Sequence, residues 1–247
     1  MVLNTDHAEY RKLAKSGSIL KGLRCGKGGG LGLIAGGWTL IGFAIFTGLL
    51  FLPMGIIGGA VFFLALLGIP GIILIAIGIP MRNKRNRTYM EFYQKETGFD
   101  EQELLQLDQE LASPNAEIIG YVRSGGSKKH PGIACIITDH YFVTEWYYIR
   151  RLEDLVAVAY TNETNIFGLL CLSKQDEKAR FMTFGAASDK KEALCSEIIQ
   201  ALLRRNPNLI CHKRFLWNGQ KFDLEKDSQA ILEMYRNTFS NQKEGQA

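Results

Sequence analysis

Between Lys27 and Arg82 the chain runs for 54 residues without an Asp, Glu, Lys or Arg, although 22% of the whole sequence is charged. A helix needs about 20 apolar residues to cross the hydrocarbon core of a bilayer, so the run suits two crossings rather than one. It divides at Leu52-Pro53-Met54-Gly55, which places spans at about 31–52 and 56–79. A fully soluble chain is thereby excluded, as are collagen-like, disordered and disulfide-stapled secreted classes. About 30 residues precede the first span and no A-x-A site follows it, so no cleavable signal peptide is expected.

Charge is distributed to match. Residues 1–30 carry Arg11, Lys12, Lys15, Lys21, Arg24 and Lys27 against Asp6 and Glu9, and residues 82–87 add Arg82, Lys84, Arg85 and Arg87 with no acid. Each flank is therefore +4, while residues 88–247 hold 19 basic and 23 acidic side chains. Basic flanks around an uncharged turn predict an integral membrane protein with both termini cytoplasmic. A nucleic-acid partner is excluded, because phosphate binding would concentrate the basic residues on the folded domain instead.

Fourteen of the 26 glycines lie between Gly28 and Gly78. Gly32-x-x-x-Gly36 and Gly55-x-x-x-Gly59 are expected to let helix backbones approach closely, either span against span or between copies as a homo-oligomer. Pro70 should kink the second span. Only Trp38, Thr39 and Thr47 offer polarity inside the hairpin, which points to an anchor rather than a conducting path. Gly30-Leu31-Gly32-Leu33-Ile34-Ala35 fits the dinucleotide spacing formally, but no strand precedes it and a span follows, so it is read as a flexible lead into the bilayer.

After the basic stop, helices are expected over 89–96 and 101–112, the second opened by Asp100 with Glu103 three residues on. The period then changes to that of strands, at 117–123, 133–138, 141–146, 155–161, 169–173 and 179–184. A helix runs from a Ser188 cap to about Arg205, with Leu194, Ile198, Ala201 and Leu202 as its apolar stripe. Phe215-Leu216-Trp217-Asn218-Gly219 reads as a tight turn beside aromatics, and a last helix is expected over 224–239. The class is α+β: a two-helix transmembrane hairpin, then an antiparallel meander or partly closed barrel with flanking and C-terminal helices. The divisions are 1–30, a basic cytoplasmic segment; 31–80, the hairpin; 81–113, a helical linker; 114–210, the sheet domain; and 211–247, an extension.

Two segments carry a resemblance. Ile136-Ile137-Thr138-Asp139-His140-Tyr141-Phe142-Val143 looks like the turn-and-strand signature of pleckstrin-homology-like (PH-like) domains, and Arg151-Leu152-Glu153-Asp154-Leu155-Val156-Ala157-Val158 looks like the segment that follows it. With the hairpin in front, the chain resembles a family of uncharacterised bacterial membrane proteins that carry a PH-like domain on two spans. The resemblance implies a PH-like domain over 114–210. In such domains the loop between the first two strands can receive anionic headgroups. Here that loop is Arg123-Ser124-Gly125-Gly126-Ser127-Lys128-Lys129-His130, and Arg123, Lys128 and Lys129 are the candidate lipid contacts. A solvated loop made basic for solubility is the alternative reading.

No catalytic residues, metal ligands or cofactor are assigned. His7, His130, His140 and His212 are scattered, and Asp139-His140 followed by Glu145 is the nearest approach to an acid–base cluster. It reads as a hairpin turn with a solvated edge. Trp146-Tyr147-Tyr148 is expected in the core and at a sheet edge. The five cysteines have no C-x-x-C spacing and read as reduced, mostly buried thiols, with S-acylation the alternative for Cys25 beside the first span. The expected function is a membrane-anchored, non-enzymatic interaction or scaffold module whose partners are the lipid bilayer and a protein. The alternative is an accessory subunit of a transport or export complex, held through the Gly-rich hairpin.

Overall fold

The uncharged run folds into two long helices, and almost everything after it into sheets and short helices. A computed structural model describes residues 2–3, 6–15, 17–25, 29–51, 53, 57–122, 131–144, 148–162, 168–184 and 188–239. In chain order the elements are β1 (Val2–Leu3), α1 (Ala8–Ala14), α2 (Ile19–Cys25), α3 (Gly29–Phe51), α4 (Ile57–Arg87), α5 (Tyr89–Thr97) and α6 (Glu101–Ala112). There follow β2 (Glu117–Tyr121), β3 (Gly132–Ile137), β4 (Tyr141–Thr144), β5 (Ile149–Arg151), β6 (Leu155–Thr161), β7 (Gly168–Ser173), β8 (Arg180–Thr183), α7 (Ser188–Arg205), β9 (Arg214–Trp217), β10 (Gln220–Asp223) and α8 (Ser228–Phe239). The chain divides into two compact units, one of residues 12–104 and one of residues 1–11 with 105–247.

In the first unit α3 and α4 are long and apolar enough to cross a bilayer, over Leu31–Phe51 and Ile57–Lys84. They pair as an antiparallel hairpin: Gly37 meets Gly71, Gly48 meets Leu64, and the Phe51 and Phe63 rings stack with centroids 5.3 Å apart. Thr39 and Thr47 donate their hydroxyls to the carbonyls of Ala35 and Phe43 one turn back, so neither presents an unsatisfied group. Trp38, Phe43, Phe46, Ile57, Phe62 and Ile72 are exposed on the pair. α4 runs as one helix through Pro70 and Pro80. It gives way to α5 at Thr88, and α5 ends at Gly98, whose φ of 75° is the left-handed cap that glycine adopts without cost. Asp100 then accepts the Glu103 N–H at 2.8 Å and opens α6, as its position predicts. The described residues of the basic segment ahead of the spans include the helix α2. α2 packs its Arg24 guanidinium over the Phe92 ring at 3.6 Å, and buried Tyr93 donates to the Leu20 carbonyl.

Among its described residues the second unit holds three antiparallel sheets, none of them closed: β1-β2-β3-β4-β5, β6-β7-β8 and β10-β9. Seven strands, β2 to β8, thus form a meander of four and a meander of three, and α7 follows. One core lies between the two larger sheets and α7, with Ile119, Cys135, Phe142, Val158, Cys171, Ile198 and Leu202. A second covers the other face of the three-stranded sheet, where Val156, Leu170 and Leu172 meet Phe222, Leu224, Ile231 and Tyr235. β7 is therefore apolar without alternation, since Leu169 and Cys171 serve one core and Leu170 and Leu172 the other. Each such leucine contributes about 1.5–3 kcal/mol by leaving water.

Two chain segments close sheet edges. Val2 and Leu3 pair with Ile119 and Ile118, and Leu3 packs against Gly120, where the β2–β3 register shifts. On β6, Val158 donates to the Ile210 carbonyl at 2.9 Å and Ile210 donates back to Val156 at 3.0 Å. Both contacts satisfy backbone groups that a bare edge would offer to another chain. The last helix begins at Ser228 rather than near Leu224, because Leu224–Lys226 form a turn tied to Lys213 and Asp223.

Candidate functional site

The strongest cluster of polar chemistry is buried where β5 meets the β7–β8 turn. The Asp176 carboxylate, 1% exposed, accepts from Arg150 Nη2 at 2.6 Å, Tyr148 OH at 2.8 Å, Ser173 Oγ at 2.7 Å and the Ser173 N–H at 3.0 Å. Arg150, 4% exposed, also donates Nε to Ser173 Oγ and Nη1 to the Ile149 carbonyl, and its guanidinium lies 4.7 Å from the Tyr148 ring centre. Arg180 adds a contact to Asp176 Oδ1 at 3.2 Å from a half-exposed position. Burial opposes ionisation of Asp176, yet the bonds from Arg150, Ser173 and Tyr148 outweigh it and hold the carboxyl below its ordinary value. Burial pushes the Tyr148 phenol well up, and Asp176 adds to the shift. Every arm of this network binds another part of the same fold, so it clamps the four-strand meander to the three-strand one.

A second cluster joins α6 to the β3–β4 turn. His140 Nδ1 lies 2.7 Å from Glu110 Oε1, while Thr138 Oγ1 and the His140 N–H donate to Glu110 Oε2 at 2.7 and 3.2 Å. Burial opposes ionisation of Glu110, but bonds from Thr138, Gln106 and His140 bring its pKa down. His140 is thus paired with an acid 30 residues upstream, and Asp139 is exposed in the bend. Glu145, read with them from the sequence, lies outside the described residues. The exposed histidine and its buried turn threonine fix the hairpin against the helix, which is positioning rather than acid–base chemistry.

Of the lipid-contact candidates, Arg123, Lys128 and Lys129 all lie outside the described residues, as do Trp146 and Tyr147. The loop's anchors are described: Tyr121 and Gly132 are register partners, and the Tyr121 ring lies over the Gly132 backbone. Tyr148 is buried and committed to Asp176. Among the helix-packing candidates, a Cβ at Gly32 or Gly36 would meet nothing within 4 Å, Gly59 is half-buried in α4, and Gly55 lies outside the described residues. The close approach of the two helices falls instead on Gly37 and Gly71, one residue round from Gly36 and one after Pro70. The i, i+4 spacing marks a helix face that tolerates contact, but the neighbour's position decides which glycine is used.

Cys135, Cys171 and Cys195 are buried in the first core and Cys211 is half-buried, all as free thiols. Burial raises each, Cys195 to about 12. Among the described residues no group of three or more His, Cys, Asp or Glu is placed to hold a metal ion. The sequence offered no signal for the Arg150–Asp176 pair, since Arg150 sits beside Arg151 in a strand of three residues. Compared with protein-family models, curated proteins and solved structures, the chain matches none.

Proposed function

We propose that the chain is a membrane-anchored, non-enzymatic interaction module. In this reading α3 and α4 cross the bilayer as a hairpin, and the sheet-rich unit is a PH-like platform at the cytoplasmic leaflet. The platform recruits a protein partner and contacts anionic headgroups through Arg123, Lys128 and Lys129. The observation that carries the reading is the pairing of β1 with β2: residues ahead of the two apolar helices share a sheet with residues after them. An even number of crossings is what allows that pairing. The apolar exposure of both helices supports burial in lipid, where Trp38, 63% exposed, and its neighbours cost nothing. Basic residues on both flanks support the cytoplasmic side. The order of four strands, three strands and a helix supports a PH-like arrangement. Fold likeness alone assigns no activity, so the recruiting role rests on tethering and on polar groups already committed to the fold.

A second reading, an accessory subunit held in a larger membrane complex by its hairpin, is favoured by one observation. Gly32, Gly36, Gly42, Gly58 and Gly68 all face open space, leaving backbone available for another helix. Crosslinking and pulldown from native membranes separates the two. The tagged full chain is compared with one whose residues 31–80 are exchanged for an unrelated two-span hairpin, which keeps β1 beside β2. Capture of the same protein by both supports the platform. Capture by the native hairpin alone supports the subunit, and capture by neither contradicts both.

A further inference from the structure

The β9–β10 hairpin presents two faces of opposite character. Its register pairs Phe215 with Phe222 and Trp217 with Gln220 on one face, and Leu216 with Lys221 and Arg214 with Asp223 on the other. The first face is structural: Phe222 is buried in the second core, its ring stacked on Phe215 at 5.6 Å, and Trp217 packs against the same core. The turn that joins the strands, Asn218-Gly219, has φ of 48° and 80°, the pair of left-handed residues that closes a tight two-residue hairpin.

Among the described residues the outward face has no such core partner. Leu216 is 65% exposed and lines a groove of about 550 Å³ together with Lys221, Lys226 and Asp227. Of the acids nearby, Asp223 binds Arg214 at 2.9 Å and Glu225 binds Lys213 at 2.8 Å, while Asp227, which also lines the groove, accepts the Asp223 N–H at 2.8 Å. With those pairs set aside, Lys221 and Lys226 stand beside one acid, Asp227, which leaves a leucine beside one surplus positive charge on the outside of the hairpin. A lone exposed leucine needs no explanation. A leucine beside surplus positive charge, in a chain with two helices fit to span a bilayer, has a matching surface: apolar just below, anionic at the top. Tethering strengthens the argument, because a weak contact becomes effective when the surface is always at hand.

We propose that the outward face of the β9–β10 hairpin, Leu216 with Lys221 and Lys226, is a docking surface for an anionic lipid bilayer. The proposal rests on the membrane-anchored reading. Leu216 enters the headgroup–acyl boundary and the two lysines meet lipid phosphates. This surface lies outside the segment that the PH-like resemblance covers.

The test uses the full chain in liposomes, with Cys25 and Cys211 changed to Ser and an environment-sensitive fluorophore on Leu216→Cys. Asn208→Cys, exposed after α7, is the control position. Phosphatidylglycerol in phosphatidylcholine should shift the label at 216 to the blue and expose it to quenchers carried on lipid chains. Pure phosphatidylcholine should not, and the label at 208 should stay aqueous in both. Lys221→Gln with Lys226→Gln should reduce the inserted fraction by roughly fivefold for each lysine, and Lys→Arg at both should restore it. An aqueous label at 216 in anionic liposomes overturns the proposal, as does insertion that ignores lipid charge or insertion at both positions. Flotation of the same liposomes separates the two failures. A chain that floats with an aqueous label defeats this proposal alone, and a chain that does not float defeats the anchored reading with it.

Discussion

Gly37 and Gly71 face each other across the two apolar helices, each so close to the other's backbone that a side chain has nowhere to go. A Cβ on Gly37 would stand 2.6 Å from the Gly71 carbonyl oxygen, and one on Gly71 would stand 2.8 Å from that of Gly37. In the proposed bilayer setting lipid tails are as apolar as the helices themselves, so close packing rather than the hydrophobic effect would hold such a pair together.

Gly71→Leu should therefore pry the hairpin apart, while Gly36→Leu, at a position with open space, should leave it intact. Overpacking of this kind costs about 1–3 kcal/mol. Oxidative crosslinking between cysteines at Phe51 and Phe63, whose rings stack in the native hairpin, reads the difference. Yield should fall severalfold in the first variant and hold in the second.

Asp176→Ala leaves Arg150 buried without its carboxylate. Breaking a buried pair from one side costs about 3–5 kcal/mol, so thermal unfolding of the variant in detergent should move down by well over the shift of an ordinary surface change. Arg150→Met with Asp176→Leu removes both charges and should recover part of the loss. A double variant no better than the single one would mean that the pair is not what the clamp depends on.

The same carboxylate makes stability pH-dependent. Asp176 titrates lower in the fold than in the unfolded chain, so it stabilises the fold above the ordinary aspartate value of about 4. That contribution is lost as pH falls below this value and through the folded one, because the unfolded state then binds the proton more readily. Unfolding followed from neutral pH into acid should show a drop in stability below about pH 4 that Asp176→Asn makes shallower.

Leu3 is buried against Gly120 and, with Val2, covers the outer edge of β2. Leu3→Ala should cost about 2–5 kcal/mol if the site stays open. A chain that begins near Tyr89 should self-associate through the bared edge. Size-exclusion of the truncated unit, with and without a supplied peptide of residues 1–11, checks this: the peptide should reduce the association.

Much of the fold could be read from the chain alone. Capping and stop signals place Glu101–Ala112 at the bounds the structure has and the later helix within a residue, since Ser188, expected as its cap, is its first residue, and alternation finds six of the seven strands from β2 to β8. The seventh, Ile149–Arg151, is three residues long and turns a charged side chain inward, so neither length nor pattern announces it. β1 escaped for a different reason. Two residues carry no periodicity, and their partner lies more than a hundred positions away. The hairpin turn at Asn218-Gly219 was legible while the strands around it were not, since β9 mixes arginine with aromatics. Glu110 and His140, like Arg150 and Asp176, meet only through tertiary structure.

The central claim is that one chain crosses the membrane twice and keeps both ends on the cytoplasmic side. Single cysteines at Asp6, Pro53 and Asn208, each exposed, test it with a membrane-impermeant maleimide on intact cells, with Cys25 and Cys211 changed to Ser. The account predicts that Pro53→Cys reacts from outside, and that Asp6→Cys and Asn208→Cys react only after the membrane is opened. Labelling of Asp6→Cys or Asn208→Cys in intact cells, or protection of Pro53→Cys, would contradict it.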